Sequence, residues 1–197
     1  MVSQPPETKN APEAPVRAPS AVPVDDTVLP FEVNALDLRG RLTRLGPALD
    51  DILTKHDYPA AVGKLLGEAI VLTTLLGTSL KFEGRFILQT RTDGPVSFLV
   101  VDFKSPDRLR AYARFDARLL KAGQTSGELL GKGHLAMTID QGADMSRYQG
   151  LVELHGGSLE DAAHEYFLRS EQIPTRVRLA VGEEWRGGDG GKHRWRA

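Results

Sequence analysis

The chain has 197 residues, with 25 Lys and Arg against 26 Asp and Glu, so its formal net charge is −1. A chain of this length can bury a substantial core, and its balanced charge gives no reason to expect nucleic acid or an anionic membrane as a partner. The sequence contains no cysteine, which excludes disulfides, thiolate zinc sites and thiol redox switches within it.

The sequence carries no signal for a membrane or for secretion. No apolar run approaches the roughly 18 residues of a transmembrane helix. The N-terminus lacks the basic and apolar regions of a secretory signal. We therefore expect a cytoplasmic protein.

The two ends of the chain differ in composition from its middle. Residues 1–30 hold seven of the twelve prolines. Because proline removes backbone donors and disfavours helix in the residue before it, we expect a disordered, polyproline-like tail. Residues 182–197 are rich in glycine and basic side chains and are predicted to begin a linker. Free linkers seldom carry tryptophan, so Trp185 and Trp195 could pack on the core or on something outside this sequence.

Residues 31–181 are predicted to form one ordered domain that begins with a strand and two helices. Partial alternation predicts a strand over residues 35–45, and apolar residues at helical spacing predict a short helix over residues 45–53. Residues 60–79 are apolar on most helical faces, which predicts a central buried helix.

Strand signals dominate the rest of this domain. Residues 85–91 and 96–103 flank Asp93-Gly94-Pro95 and are predicted to form a hairpin. Ser158 and Asp161 resemble a capping box that opens a helix ending at Arg169. The other predicted strands share alternating apolar residues: 109–119, 134–140, 148–154 and 177–181. The predicted fold is a single α+β domain in which a mixed, mostly antiparallel sheet packs with helices.

The sequence contains none of the catalytic or metal-binding motifs that we sought. The glycine-rich segments at 127–132 and 187–192 lack the spacing of a phosphate-binding loop. No Gly-x-Ser-x-Gly motif occurs, and no histidine is paired with another at metal-ligand spacing. We therefore predict no catalytic residue and no metal ligand, and a protein that is not an enzyme.

Five short motifs give the sequence a resemblance to a known family. They are HDYP (56–59), LKFEG (80–84), DGP (93–95), RYQG (147–150) and EYFLRSEQIPTR (165–176). In order and spacing they resemble the N-terminal core domain of the heat shock protein 33 family, the redox-regulated holdase chaperones. The resemblance covers residues 37–181.

The resemblance implies an ATP-independent chaperone that captures unfolding proteins under heat and oxidative stress and forms homodimers. In this family, four cysteines in a C-terminal domain hold zinc, and a regulatory linker joins that domain to the core. Because this sequence has no cysteine and ends at Ala197, it is either a truncated chain or a natural variant without the redox switch. We expect the former, and a chain that binds no cofactor.

If the linker normally covers an apolar face of the sheet, that face could bind clients. Nine candidates for this surface lie in the predicted strands: Phe86, Leu88, Phe98, Val100, Phe103, Tyr112, Phe115, Met137 and Ile139. Since side chains alternate along a strand, we expect only about a third of them on the exposed face, and the sequence does not say which.

Two other interpretations remain open. The chain could be a dimerising structural core whose client site lies mainly in the missing linker. It could also be a small-molecule enzyme, which would need a pocket with converging polar groups. The sequence offers no cluster of that kind.

Overall fold

The computed structural model of the chain describes residues 24–80, 83–142, 147–185 and 193–197. The segment 1–23, most of the predicted proline-rich tail, lies outside these residues. So do two residues of the LKFEG motif, at 81 and 82.

The described residues form nine strands and four α-helices. The strands are β1 (Thr27–Val33), β2 (Leu38–Arg44), β3 (Arg85–Thr92), β4 (Val96–Lys104), β5 (Arg108–Phe115), β6 (Lys132–Asp140), β7 (Tyr148–His155), β8 (Gly182–Trp185) and β9 (His193–Arg196). The helices are α1 (Pro47–Leu53), α2 (Ala60–Gly77), α3 (Ser126–Leu130) and α4 (Leu159–Tyr166). Short 3-10 turns follow β1 and β5, and a π-helical turn over Phe167–Glu171 extends α4.

A five-stranded antiparallel sheet forms the centre of the molecule, with the strand order β5-β4-β3-β6-β7. In its register, Leu88 of β3 lies between Val101 of β4 and Met137 of β6. Two further antiparallel hairpins, β1–β2 and β8–β9, lie outside this sheet. The structure confirms the predicted α+β fold with a largely antiparallel sheet.

The core lies between the sheet and the helices. Helix α2 packs against β3, β4 and β5, while α4 packs against β7. Leu65, Leu66 and Ile70 of α2 are fully buried. By length and composition alone α2 could cross a membrane, but 67% of it is buried inside the fold, as in the core helix of a soluble protein. Its apolar character is therefore explained by packing.

The first strand begins earlier than the sequence predicted. Residues 27–30, assigned to the tail, belong to β1 and pair with β2. Pro30 lacks a backbone N–H donor but does not prevent the strand from forming. Among the described residues β1 pairs only with β2, so its other edge needs no donor. Asp26, which precedes β1, accepts hydrogen bonds from the amides of Gly46 and Ala48 at the start of α1, at 2.8 and 3.0 Å.

Of the C-terminal segment predicted as the start of a linker, residues 186–192 lie outside the described residues, and residues 193–197 pack onto the core. Strands β8 and β9 pair, and β9 packs against α1. Leu45 and Ala197 exchange backbone hydrogen bonds of 2.7 and 3.1 Å. Trp195 is only 7% exposed, whereas Trp185 is 69% exposed. Of the two interpretations left open for the tryptophans, packing on the core is therefore correct for Trp195.

The strand predicted over residues 177–181 is wrong. This segment is extended but belongs to no sheet, because side chains of α4 accept its backbone hydrogen bonds in place of a neighbouring strand. The amide of Val177 donates to Nε2 of His164 at 2.9 Å, and the amide of Leu179 donates to the carboxylate of Glu160. His164 thus has a structural contact with this segment.

Candidate interaction surface

The central sheet has one face packed on the helices and one face directed away from them. We call the second the open face. Its positions alternate with those of the packed face along every strand: Arg85, Ile87, Gln89 and Arg91 of β3; Phe98, Val100, Asp102 and Lys104 of β4; Arg108, Arg110, Tyr112 and Arg114 of β5; His134, Ala136, Thr138 and Asp140 of β6; and Gln149, Leu151, Glu153 and His155 of β7. Two of these residues, Ala136 and Thr138, are nevertheless buried.

Four of the nine candidate surface residues are in the core, which removes them from the set of possible client contacts. Phe86, Leu88, Phe103 and Met137 are at most 4% exposed. Side chains alternate between the two faces along a strand, and each of these four lies at a position whose side chain points toward the helices. Cross-strand pairing places Phe86 opposite Phe103 and Leu88 opposite Met137. A residue that fills the core cannot also contact a client in the folded protein.

The other five candidates divide between the two faces. Phe115 and Ile139 are half-buried and pack against the core from the helix-facing side. Phe98, Val100 and Tyr112 lie on the open face, where Tyr112 is 44% exposed. These three residues are the part of the predicted set that the structure brings together on one accessible surface.

Sequence reasoning missed Ile87, which is half-buried on the open face between Phe86 and Leu88. The run Phe86-Ile87-Leu88 is apolar on both faces, so alternation gives no signal for which residue faces outward. Register supplies it, because Ile87 lies opposite Asp102 of β4, an open-face position. Ile87, Phe98, Val100 and Tyr112 therefore form an apolar cluster on β3, β4 and β5, while Leu151 of β7, which is 63% exposed, is a further apolar residue of the open face.

Arginines surround Phe98 on the open face. The guanidinium carbons of Arg91 and Arg114 lie 5.7 and 5.9 Å from the centre of the Phe98 ring, within the range of cation–π contacts. Nε of Arg114 also donates to Oγ of Ser97 at 3.2 Å. These contacts hold the arginine side chains close to the sheet.

One carboxylate of the open face serves two arginines. Asp102 accepts a 2.5 Å hydrogen bond from Arg110, and its other oxygen lies 4.0 Å from Nε of Arg85. At the far side of the sheet, Asp140 accepts from the amide of Gly142 and from Arg147, and these hydrogen bonds lower the pKa of its carboxyl group. Both acids are therefore engaged with groups of the chain itself.

The HDYP motif connects the start of α2 to the outer strand of the sheet. The hydroxyl oxygen of Tyr58 accepts a 3.1 Å hydrogen bond from the amide of Ala113 in β5. The Tyr58 ring packs near Phe115, and His56 lies edge-on to Tyr112 at 5.7 Å. Burial raises the pKa of the Tyr58 hydroxyl, so the group stays protonated at neutral pH. The motif has a structural role in positioning β5.

The DGP motif forms the turn of the β3–β4 hairpin, as predicted, and fixes it to the segment before β6. A side-chain oxygen of Asp93 accepts from the amide of Lys132 at 2.6 Å, and the amide of Gly94 donates to the carbonyl of Leu130 at 2.9 Å. A Cβ atom at position 94 would overlap that carbonyl. Glycine is therefore required by close backbone approach.

The motif at 165–176 closes the end of α4. The hydroxyl of Tyr166 donates to the carboxylate of Glu171 at 2.6 Å across the π-helical turn. Burial of Tyr166, together with this bond, raises the pKa of its hydroxyl group. Gln172 then adopts a left-handed conformation with φ of 54°, which ends the helix.

All five motifs lie within the part of the chain that a family model matches. The family model described as "Hsp33 protein" matches residues 26–192. The chain belongs to the Hsp33 family.

Named relatives and a solved structure agree with this assignment. The chain is 49% identical over 172 residues to the 33 kDa chaperonin of Caulobacter vibrioides, covering 84% of this chain and 57% of that protein. It is 42% identical over 148 residues to the 33 kDa chaperonin of Vibrio vulnificus, covering 75% and 50%. The crystal structure of the 33 kDa chaperonin from Thermotoga maritima has the same fold, with a TM-score of 0.68 at 19% identity, over 86% of this chain and 59% of that one.

This chain spans little more than half the length of the curated Hsp33 relatives that it matches. The residues present do not fit the zinc that the family resemblance implies. The sequence has no cysteine, and among the described residues no group of three or more His, Asp or Glu side chains is placed to hold a metal ion.

Proposed function

We propose that this chain carries an ATP-independent holdase activity, which binds unfolding proteins and prevents their aggregation under heat and oxidative stress. Its membership of the Hsp33 family and the names of its relatives support a chaperone function. The observation that carries the binding role is the open face, where Ile87, Phe98, Val100 and Tyr112 point away from the helices. Unfolding proteins expose apolar segments, and burial of apolar area stabilises their association with such a surface.

To test the holdase proposal, the purified chain is mixed with a protein that unfolds on heating, and aggregation is followed by light scattering without ATP or oxidant. We expect suppression of scattering at near-stoichiometric ratios. Val100→Ser removes apolar area from the centre of the open face and should weaken suppression. Leu168→Ser is the matched control, since Leu168 is 68% exposed and lies outside the sheet.

The competing interpretation is that the chain is a dimerising core and that clients bind mainly to a segment outside it. In that case the folded chain would leave aggregation unchanged, and Val100→Ser would have no effect. The first result contradicts the holdase proposal for this chain, and the second, in an active chain, contradicts the assignment of clients to the open face.

We also propose that the chain forms a homodimer, with the β1–β2 hairpin as the surface that a second copy covers. The cross-strand pairs Leu29–Leu42 and Val33–Leu38 lie on one face of this hairpin with Phe31 between them, and all five side chains are at least 38% exposed. An isolated two-stranded hairpin is marginally stable in water, and the same apolar face on two copies is self-complementary. Sedimentation velocity should report a dimer for the wild type and a monomer for Leu42→Ser.

We propose a binding role and not a catalytic one, in the cytoplasm, without nucleic acid or membrane as partner. A cleft of about 780 Å³ beside β7 contains His155 and Glu153, whose side chains are 73% and 80% exposed. Groups so open to solvent lack the burial that tunes catalytic residues. Redox regulation and zinc binding, if they follow the family, belong to cysteine-containing segments that this sequence does not include.

A further inference from the structure

The positive charge of the open face is concentrated on three of its strands. We call the open-face positions of β3, β4 and β5 the basic half: Arg85, Ile87, Gln89, Arg91, Phe98, Val100, Asp102, Lys104, Arg108, Arg110, Tyr112 and Arg114. It holds six basic side chains and one carboxylate, so its formal net charge is +5, on a chain whose total is −1. All six basic residues are exposed.

We propose that the basic half selects client segments that are extended and in which acidic residues alternate with apolar ones. This inference rests on the proposed client binding and names the chemistry that the surface prefers. Among the described residues, Arg91, Lys104, Arg108 and Arg114 form no ion pair, so their charges are available to a ligand. Guanidinium groups bind carboxylates with charge-assisted, often bidentate hydrogen bonds.

The spacing of the charges fits an extended chain. Arg108, Arg110, Tyr112 and Arg114 are alternate residues of β5, so their side chains recur about every 7 Å. The side chains on one side of an extended peptide have the same spacing. Between β5 and β3 lie Phe98 and Val100, which would meet the apolar residues of the same segment.

The bound segment would lie on top of the open face and would not add a strand to the edge of the sheet. β5 ends the strand order, but the hydroxyl oxygen of Tyr58 already accepts the outward amide of Ala113 at 3.1 Å. This contact interrupts the ladder that an added strand needs. Side chains would therefore carry the recognition, and charge would dominate the preference.

A single-stranded nucleic acid is the other ligand with regularly spaced anions, and the surface is less suited to it. Base recognition without sequence preference relies on exposed aromatic faces. Of the two aromatic side chains in the basic half, Phe98 lies beneath the guanidinium groups of Arg91 and Arg114, and only Tyr112 is exposed. The other apolar side chains of the basic half, Ile87 and Val100, are aliphatic.

The test uses three fluorescein-labelled peptides of about twelve residues, long enough to span the strands. Each alternates valine or leucine with one polar residue, which is Glu, Gln or Lys. Fluorescence anisotropy with the full chain should show the Glu peptide binding about tenfold more tightly than the Gln peptide, since each exposed charge pair adds a modest increment. The Lys peptide should bind more weakly than both, and added salt should remove the difference.

Variants assign the preference to this surface. The double variant Arg108→Gln/Arg114→Gln should bind the Glu and Gln peptides alike, while Arg169→Gln should keep the wild-type difference. Arg169 is the control because its side chain, which is 77% exposed, is accessible like those of Arg108 and Arg114 but lies on the turn after α4. Equal binding of the Glu and Gln peptides to the wild type overturns the inference, as does a double variant that behaves like the control.

Two further results separate the inference from the proposals beneath it. If oligothymidylate binds more tightly than the Glu peptide, the surface prefers nucleic acid and the inference is wrong. If the chain suppresses client aggregation but shows no charge preference among the peptides, the holdase proposal stands and only the inference fails. If it neither suppresses aggregation nor binds any peptide, both fail.

Discussion

The ring of Tyr166 lies directly against Gly150, so closely that a Cβ atom at position 150 would overlap the ring. Gly150 belongs to β7 and Tyr166 ends α4, so this contact joins the helix to the last strand of the sheet. The two residues come from the RYQG motif and from the motif at 165–176. Their pairing gives a packing reason for both motifs, since one supplies the aromatic side chain and the other the space for it.

The first prediction tests this contact. Gly150→Ala should destabilise the protein by about 1–3 kcal/mol, because the added methyl group must displace a ring that is 4% exposed. Urea unfolding followed by circular dichroism measures the change. Gly182→Ala is the matched control, since nothing lies within 4 Å of a Cβ there, and it should be near neutral. In a Tyr166→Ala background, Gly150→Ala should cost far less, and an undiminished cost would contradict the contact.

The second prediction concerns pH and the capping box of α4. Asp161 accepts from the hydroxyl and the amide of Ser158 at 2.7 and 3.0 Å, and these hydrogen bonds lower the pKa of its carboxyl group. A lowered folded-state pKa contributes stability above the unfolded-state pKa, and the contribution is lost as pH falls through the folded-state value. Asp161→Asn should therefore be less stable than the wild type near pH 7 by about 1 kcal/mol.

This difference should shrink as the pH falls below 4. Urea midpoints measured across that range provide the test. The matched variant is Asp107→Asn, because Asp107 is exposed in the turn between β4 and β5. A gap between wild type and Asp161→Asn that stays constant with pH would rule out a role for the ionised carboxylate.

The third prediction concerns the C-terminal hairpin. A Cβ atom at Gly63 would lie 2.9 Å from Cζ2 of Trp195. Alanine normally stabilises a helix relative to glycine, by about 1 kcal/mol. Gly63→Ala should instead displace Trp195, shifting its fluorescence to longer wavelength while far-ultraviolet circular dichroism stays nearly constant. The Trp185→Phe background removes the exposed indole from the signal. A stabilised variant with unchanged emission would show that the contact is loose.

The fourth prediction concerns the tyrosine of HDYP. Tyr58→Phe removes the acceptor for the amide of Ala113 and should cost about 1 kcal/mol. It should also speed hydrogen exchange at the Ala113 amide, while the amide of Leu99, in the neighbouring strand, keeps its protection. Unchanged exchange at Ala113 would mean that solvent or another group replaces the tyrosine oxygen.

Local patterns predicted most of the sheet and the central helix. The apolar spacing of residues 60–79 is that of α2, and Asp93-Gly94-Pro95 is the turn between β3 and β4. The capping box is confirmed in an unusual form, with Asp161 in the position usually held by Glu. Such signals succeed because they depend on residues close in sequence.

Features that depend on distant contacts were not predictable in this way. Pro30 obscured β1, and the glycines obscured the C-terminal hairpin. The hairpin is held by residues far along the chain, since the amide of Trp195 donates to Asp50. The segment 177–181 alternates like a strand, yet α4 satisfies its amides. On the candidate surface, alternation limits the exposed set to one face, but only the pairing of β4 with β3 and β5 and the burial of Phe103 show that Phe98 and Val100 face outward.

Helix α1 has only seven residues, too few to be stable alone in water. Two other segments hold it in place. Asp26 accepts hydrogen bonds from amides at its start, and the amide of Trp195 donates to the carboxylate of Asp50 within the helix at 2.9 Å. The segments at 24–26 and 193–197 therefore both stabilise α1, although more than 160 residues separate them. Detachment of either segment should loosen the other, so that these two remote parts of the chain open and close as one cooperative unit.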